Sequence, residues 1–300
     1  MPAQPAILER QRRFARYLTA HRRLGVDAAD IRQCLCSLEV DDQMVIGLGP
    51  GLTRLLGHER PELRPFPAFS GVGIEVPSTQ ADLWIWINCD EGGMAITKAL
   101  DLMNELTSAF EFVDPIDGFK NGETESGLGR ELTGYQDGTE NPQGEDASAA
   151  AIGHDDSSFV AVQTWKHDLA KFASFPREAQ DQIFGRRRTD NEELVDAPAS
   201  VHVKRTAQES FDPEAFVLRR SLSWSGPTGQ GMMFVAFGNS FDAFEAQMRR
   251  MAGYNDGIID ACFQFSRPIA GGYYWCPPLS NGQMNVQLLS SAVVLPGYCQ

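Results

Sequence analysis

Asp82-Leu-Trp-Ile-Trp-Ile-Asn-Cys89, with Met94-Ala-Ile-Thr-Lys-Ala-Leu-Asp-Leu-Met-Asn-Glu-Leu106 close behind it, decides the fold class. The first run is β-branched and aromatic, apolar at every position from Leu83 to Ile87, which marks a strand. The second places apolar residues three and four apart, the spacing of a helix that buries one face. The same pairing returns in the second part of the chain. Gly231-Met-Met-Phe-Val-Ala-Phe-Gly238 precedes Ser240-Phe-Asp-Ala-Phe-Glu-Ala-Gln-Met-Arg-Arg-Met251, a helical pattern behind a Ser or Asn cap. A strand and an amphipathic helix, repeated, read as a duplication: two α+β halves of ferredoxin-like type, strands on one layer and helices packed outside.

Working outward, alternation and β-branched runs predict further strands at Gln43–Gly47, Gly71–Pro77, Phe159–Trp165 and Val201–Arg205. The halves are expected at 1–142 and 159–300. Between them Gln143–Ser158 is rich in small and acidic residues and lacks large apolar anchors, so it reads as an exposed connection. Gly47-Leu-Gly-Pro-Gly-Leu52 is not a dinucleotide loop: Leu52 stands where the third glycine belongs and Pro50 interrupts, which leaves a tight strand-to-helix turn.

The 300 residues are 42% hydrophobic, enough for a substantial core. The net charge of −14 argues against nucleic acid or an anionic membrane as partner, because the summed field repels both. The N-terminal stretch holds no secretory apolar core, and no segment carries the roughly eighteen uninterrupted apolar residues of a membrane span, so a cytoplasmic location is expected. Six scattered cysteines without Cys-x-x-Cys spacing fit free thiols in a reducing compartment.

Three groups of residues carry chemistry. Leu132-Thr-Gly-Tyr-Gln-Asp-Gly-Thr-Glu-Asn-Pro142 holds one carboxylate, Asp137, in a loop bounded by glycine and proline. Read alone, Asp137-Gly138 is first a turn signal. Pro198-Ala-Ser-Val-His202-Val-Lys-Arg205 offers an imidazole, and Val217-Leu-Arg-Arg-Ser-Leu222 a pair of guanidinium groups. Read alone, Arg219-Arg220 is a solvated surface pair, or one residue points inward and its neighbour to solvent or a salt bridge.

In this order and spacing the three stretches resemble the dye-decolourising peroxidases, closest to the shorter bacterial cytoplasmic branch. The resemblance runs from about Val45 to Leu279. It implies two ferredoxin-like halves whose antiparallel sheets form one central sandwich or barrel, with one non-covalent haem b per chain in the second half. It implies His202 as axial ligand of the haem iron, with Asp260 hydrogen-bonding that imidazole. His167, in Trp165-Lys-His-Asp, falls in a stretch that is structural in the family. The open face of the haem would carry Asp137, moving a proton between the peroxide oxygens, and Arg219, stabilising the departing oxygen. Ser221 falls where subfamilies carry Ser or Asn, and Arg205, with Lys204 beside it, is a candidate cation for the haem propionates. Leu222-Ser-Trp224 departs from the family's usual continuation after the distal arginine.

The activity implied is reduction of hydrogen peroxide through a ferryl intermediate, at the expense of phenolic, dye-like or other one-electron donors. The alternative is a haem- or porphyrin-handling protein with incidental peroxidase activity. A homo-oligomer is expected. Some members of the family are packaged in encapsulin shells through a C-terminal peptide, a pattern that Gln287–Gln300 does not clearly match.

Overall fold

The computed structural model describes residues 2–71, 73–123 and 128–284. The tail expectation therefore lies outside the described residues. The first part of the chain supplies strands β1 (Phe14–Arg22), β2 (Met44–Leu48), β3 (Leu83–Cys89) and β4 (Ile116–Phe119), with helix α1 (Ala28–Cys36) between β1 and β2 and α2 (Gly92–Leu106) between β3 and β4. After α3 (Gly144–Ala151), the second part supplies β5 (Ser158–His167), the two-residue β6 (Leu218–Arg219), β7 (Leu222–Gly226), β8 (Gly229–Gly238) and β9 (Ser266–Cys276). Helices α4 (Arg177–Phe184) and α5 (His202–Arg205) lie between β5 and β6, and α6 (Asp242–Met251) between β8 and β9.

The strand order is β2-β3-β1-β4 in the first part and β9-β5-β8-β7 in the second, every pairing antiparallel. Numbered within its own part, each is the ferredoxin-like 4-1-3-2 arrangement, one of them read backwards. The two four-stranded sheets join at both edges, β9 to β2 and β7 to β4, so the eight strands close into a ring. Closure leaves the halves no free edge along these strands. The joints are short: Trp275 pairs with Leu48 at one, and Ser223 and Trp224 pair with Phe119 and Gly118 at the other.

Period-two alternation explains the uninterrupted apolar run of β3. Trp84 and Trp86 point into the ring, against Phe237 and Tyr274, while Leu83, Ile85 and Ile87 point outward to the helix layer. β8 behaves alike, with Met233, Val235 and Phe237 inside and Met232, Phe234 and Ala236 outside. That outer face of the second sheet is covered by α6, through Phe244, Met248 and Met251, and by residues 168–221. In the first part the equivalent connection is only residues 23–43. The site is built in this difference.

Three expectations need correction. Val201–Arg205 is a one-turn helix and not a strand: Thr206 donates to the carbonyl of His202 through both its N–H and its Oγ1. The alternating valines that mimic a strand both crowd Gly185 at the end of α4, where an added Cβ would lie 2.5 Å from Val203 and 2.8 Å from Val201. Gln143–Ser158 is not a bare exposed connection, because α3 lies within it and buries Ala147, Ala150 and Ala151 against the ring. Small side chains here permit close approach of helix to sheet. Of Gly71–Pro77, only Gly71 and Ile74–Val76 are strand: Gly71 ends the first strand, Phe69–Gly71, and Ile74–Val76 is the second strand of the same short hairpin.

Candidate active site

Residues 168–221 and α6 enclose a cavity of about 310 Å³ against the outer face of β5 and β8. Its apolar wall is Met232 and Phe234 of the sheet, Met248 and Met251 of α6, and Phe184 and Phe265. His202, Asp137, Arg219 and Ser221 reach it from three separate segments.

His202 opens α5. Its Nδ1 lies 2.8 Å from Oδ2 of Asp260, a carboxylate with no accessible side-chain surface. Asp260 is itself held as the cap of the turn that follows, accepting from the N–H of Cys262 at 2.8 Å. With Nδ1 thus occupied, Nε2 of His202 has no hydrogen-bond partner among the described residues. The side chain keeps 37% of its surface accessible, and that surface opens onto the cavity. Burial works against a charged imidazole, but the charge and hydrogen bond of Asp260 outweigh it and raise His202 above its ordinary value. Arg219 pushes the other way and Asp137 adds to the rise, so both are felt at the ring.

The loop that carries Asp137 is fixed at three points. Tyr135 stacks on Phe184 with ring centroids 4.1 Å apart, and its hydroxyl donates to Asp181. Asn141 donates to the carbonyl of Arg219 at 3.0 Å and accepts from its N–H at 2.8 Å, which ties the loop to β6. Glu131, at the start, meets His167. Between these anchors Gly138 takes φ +85°, the left-handed turn conformation, and its N–H donates to Oδ1 of Asp137 at 2.8 Å. Ser221 accepts from the N–H of Val235 at 3.2 Å.

Arg205 does not reach the cavity, and its expected role toward cofactor carboxylates is corrected. It is 4% exposed and its guanidinium forms a fork with Asp256, at 2.7 and 2.9 Å, while also donating to the carbonyl of Arg250. The C-terminal end of α6, rich in unsatisfied carbonyls, claims this cation. Lys204 lines the cavity, with its Nζ donating to the carbonyl of Ala197 at 2.5 Å.

Glu131, Ser266, Cys262 and Asn141 were not singled out from sequence, whereas His167 was read as structural. Glu131 and His167 form a buried pair at 2.5 Å, and Ser266 lies 2.6 Å from the other ring nitrogen. Burial pushes the carboxyl of Glu131 up, but the charge of His167 and hydrogen bonds from His167 and Thr133 bring it below the ordinary value. Cys262, also on the wall, is driven well up, by burial first and then by the carboxylates of Asp260 and Glu131, so it stays a neutral thiol. Asn141 had one signal, the turn-forming Asn-Pro pair at the end of the loop. Glu131 and Cys262 had none, because their meaning comes from partners far along the chain.

Residues 27–120 match the family description "Dyp-type peroxidase, N-terminal", and residues 129–281 match "Dyp-type peroxidase, C-terminal". The chain belongs to the Dyp-type peroxidases. A dye-decolorizing peroxidase of Rhodococcus erythropolis is 31% identical over 78% of this chain and 71% of its own, and one of Mycobacterium tuberculosis is 30% identical over 75% and 70%. Among solved structures, the dye-decolorizing protein from V. cholerae superposes with a TM-score of 0.82 at 25% identity, covering 96% of this chain and 99% of that one. A DypB variant from Rhodococcus jostii RHA1 in complex with heme gives 0.81 at 25% identity, over 96% and 97%. This Dyp-type peroxidase thus shares the family's α+β fold along nearly its whole length. Among its described residues no helix is long and apolar enough to cross a membrane.

Proposed function

We propose that this Dyp-type peroxidase holds one haem b, non-covalently, in the cavity between His202 and the Asp137–Arg219 wall, and uses it to reduce hydrogen peroxide with electrons from organic donors. The observation that carries this reading is an imidazole whose Nδ1 is taken by a buried carboxylate and whose Nε2 is left unpartnered on an apolar-walled cavity. The donor set fits the group: His202 would hold the iron through its unpartnered nitrogen, the methionine and phenylalanine side chains of the cavity would suit an apolar macrocycle, and Asp137 and Arg219 would supply polar groups. Bound there, haem would supply a redox-active iron for the chemistry of peroxide.

The chain's own residues do the rest. Asp260 fixes the tautomer of His202 and raises the electron density of its free nitrogen. Arg219 offers its guanidinium where negative charge develops on the leaving peroxide oxygen. Asp137 takes the proton from the near oxygen and returns it to the far one, which departs as water. Arg205 has no part in this. The haem-handling alternative draws on no separate observation, since the Asp137–Arg219 wall is of use only where peroxide is to be cleaved.

The test is the optical spectrum of haem-reconstituted wild type and His202→Ala, before and after one equivalent of hydrogen peroxide. A Soret band that responds to peroxide in the wild type and is displaced in the variant supports the reading. Identical spectra in the two proteins remove His202 as ligand. The cytoplasmic location and the homo-oligomer are parts of this proposal, supported by the cysteine pattern and by resemblance; size-exclusion chromatography with light scattering tests the second.

A further inference from the structure

Behind the Asp137–Arg219 wall lies a second cavity, of about 670 Å³, which shares Glu131, Asp137, Arg219, Ser221 and Met232 with the first. In a chain of net charge −14 its lining is inverted: Arg10, Lys120, Arg130, Arg219 and Arg220 against the carboxylates of Glu131 and Asp137. Arg10 is paired with Asp90 at 2.6 Å, and Glu131 is committed to His167. Arg130, Arg219 and Arg220 form no ion pair with any carboxylate of the described residues.

Arg220 is the most informative of these. The sequence suggested a side chain pointing to solvent or a salt bridge, and it does neither. It is 7% exposed, donates only long hydrogen bonds to the carbonyls of Arg219 at 3.3 Å and Leu8 at 3.2 Å, and leaves its buried Nε without a partner. Glu9 acts on it only from beyond salt-bridge distance, and burial pushes it down to about 10, which leaves it charged at neutral pH. A buried charge of this kind costs stability unless something compensates it. The walls around it are part apolar, from Phe119, Leu128, Leu222 and Met232.

We propose that this cavity binds the reducing donor, and that the donor it suits is an aromatic anion whose carboxylate or sulfonate is held by Arg220 and Arg130 while its ring rests on the apolar wall beside Arg219. The proposal rests on the peroxidase reading above and names the substrate class for it. Each phenolic donor gives up one electron and its hydroxyl proton, and two donors reduce one hydrogen peroxide to two waters.

The experiment compares two donors that differ by one carboxylate, 4-hydroxy-3-methoxybenzoate and 2-methoxyphenol, on the holoenzyme. Arg220→Gln is expected to raise KM about tenfold for the anion, as loss of a charge-assisted hydrogen bond does, and to leave KM for the neutral donor unchanged. Arg220→Lys should keep most of the anion's KM, and Arg130→Gln should repeat the selective rise, which also covers the case in which Arg220→Gln does not fold. Equal shifts for both donors, or none for either, overturn the proposal. So does loss of the Soret band in Arg220→Gln with anion binding intact, because the cation would then serve the carboxylates of the cofactor. Equilibrium dialysis of 4-hydroxy-3-methoxybenzoate separates this from the parent reading: binding that depends on Arg220 in a holoenzyme inert to peroxide would sink the peroxidase reading and leave the anion site standing.

Discussion

Two histidine–carboxylate pairs stand on the walls of one cavity, and they are built almost alike. His202 meets Asp260 at 2.8 Å and His167 meets Glu131 at 2.5 Å; all four side chains line the cavity or buttress a residue that does. The difference is in the second nitrogen. In His167 it is taken by Ser266 at 2.6 Å, so the ring is consumed by the protein. In His202 it is unpartnered among the described residues and opens onto the cavity. Proximity to a carboxylate therefore does not distinguish a ligand from a structural histidine; a nitrogen left over does.

The largest effect expected from breaking this comparison is that of His202→Ala, which should remove the peroxide-responsive Soret band and lower turnover by more than the ~10–100-fold that a lost outer partner costs. Next, Arg219→Leu should slow the reaction with peroxide by ~10²–10³-fold with His202 and the Soret position intact, the cost of losing one charge-stabilising donor; stopped-flow spectra measure it, and an unchanged rate would take Arg219 out of the mechanism. Asp260→Asn should fall lower, by ~10–100-fold, with a change in the reduction potential of the bound iron, because the imidazole keeps its place but loses its anionic partner. If Asp260→Asn and His167→Phe shifted that potential equally, the two pairs would not differ in the way their second nitrogens indicate.

Much of the fold was legible because β3 and β8 are covered on both faces: a run such as Leu83–Ile87, followed by a helix, has few alternatives. The site was legible only in part. Asp137 and Arg219 sit in short motifs, and the structure brings both to the cavity of His202. Arg205 was misplaced because its partners, Asp256 and the carbonyl of Arg250, belong to the far end of another helix. Arg220 was read as a surface charge because nothing local shows that β6 and Leu8 bury it. Val201–Arg205 has the alternation of a strand, yet that pattern records contact with Gly185 and not a pleat. Local pattern reports burial well and reports partners poorly.

The smallest effect on turnover belongs to the second pair, and its signature is stability. Glu131→Gln should cost ~3–5 kcal/mol, since it leaves a buried imidazole facing a partner that no longer carries charge, whereas the double change Glu131→Leu with His167→Leu should cost less than either single substitution. The pH dependence fixes the sign. The folded carboxyl of Glu131 lies below its unfolded value, near about 4.3, so its contribution is complete above that value and is lost as pH falls through the folded one. The gap in thermal midpoint between wild type and Glu131→Gln should accordingly be full at about pH 6 and narrow steadily below about pH 4. A gap that stays constant across that range would mean that Glu131 does not carry its charge in the folded protein. The pair at His167 would then be a neutral hydrogen bond, and the charged histidine–carboxylate contact at His202 would have no counterpart in the cavity.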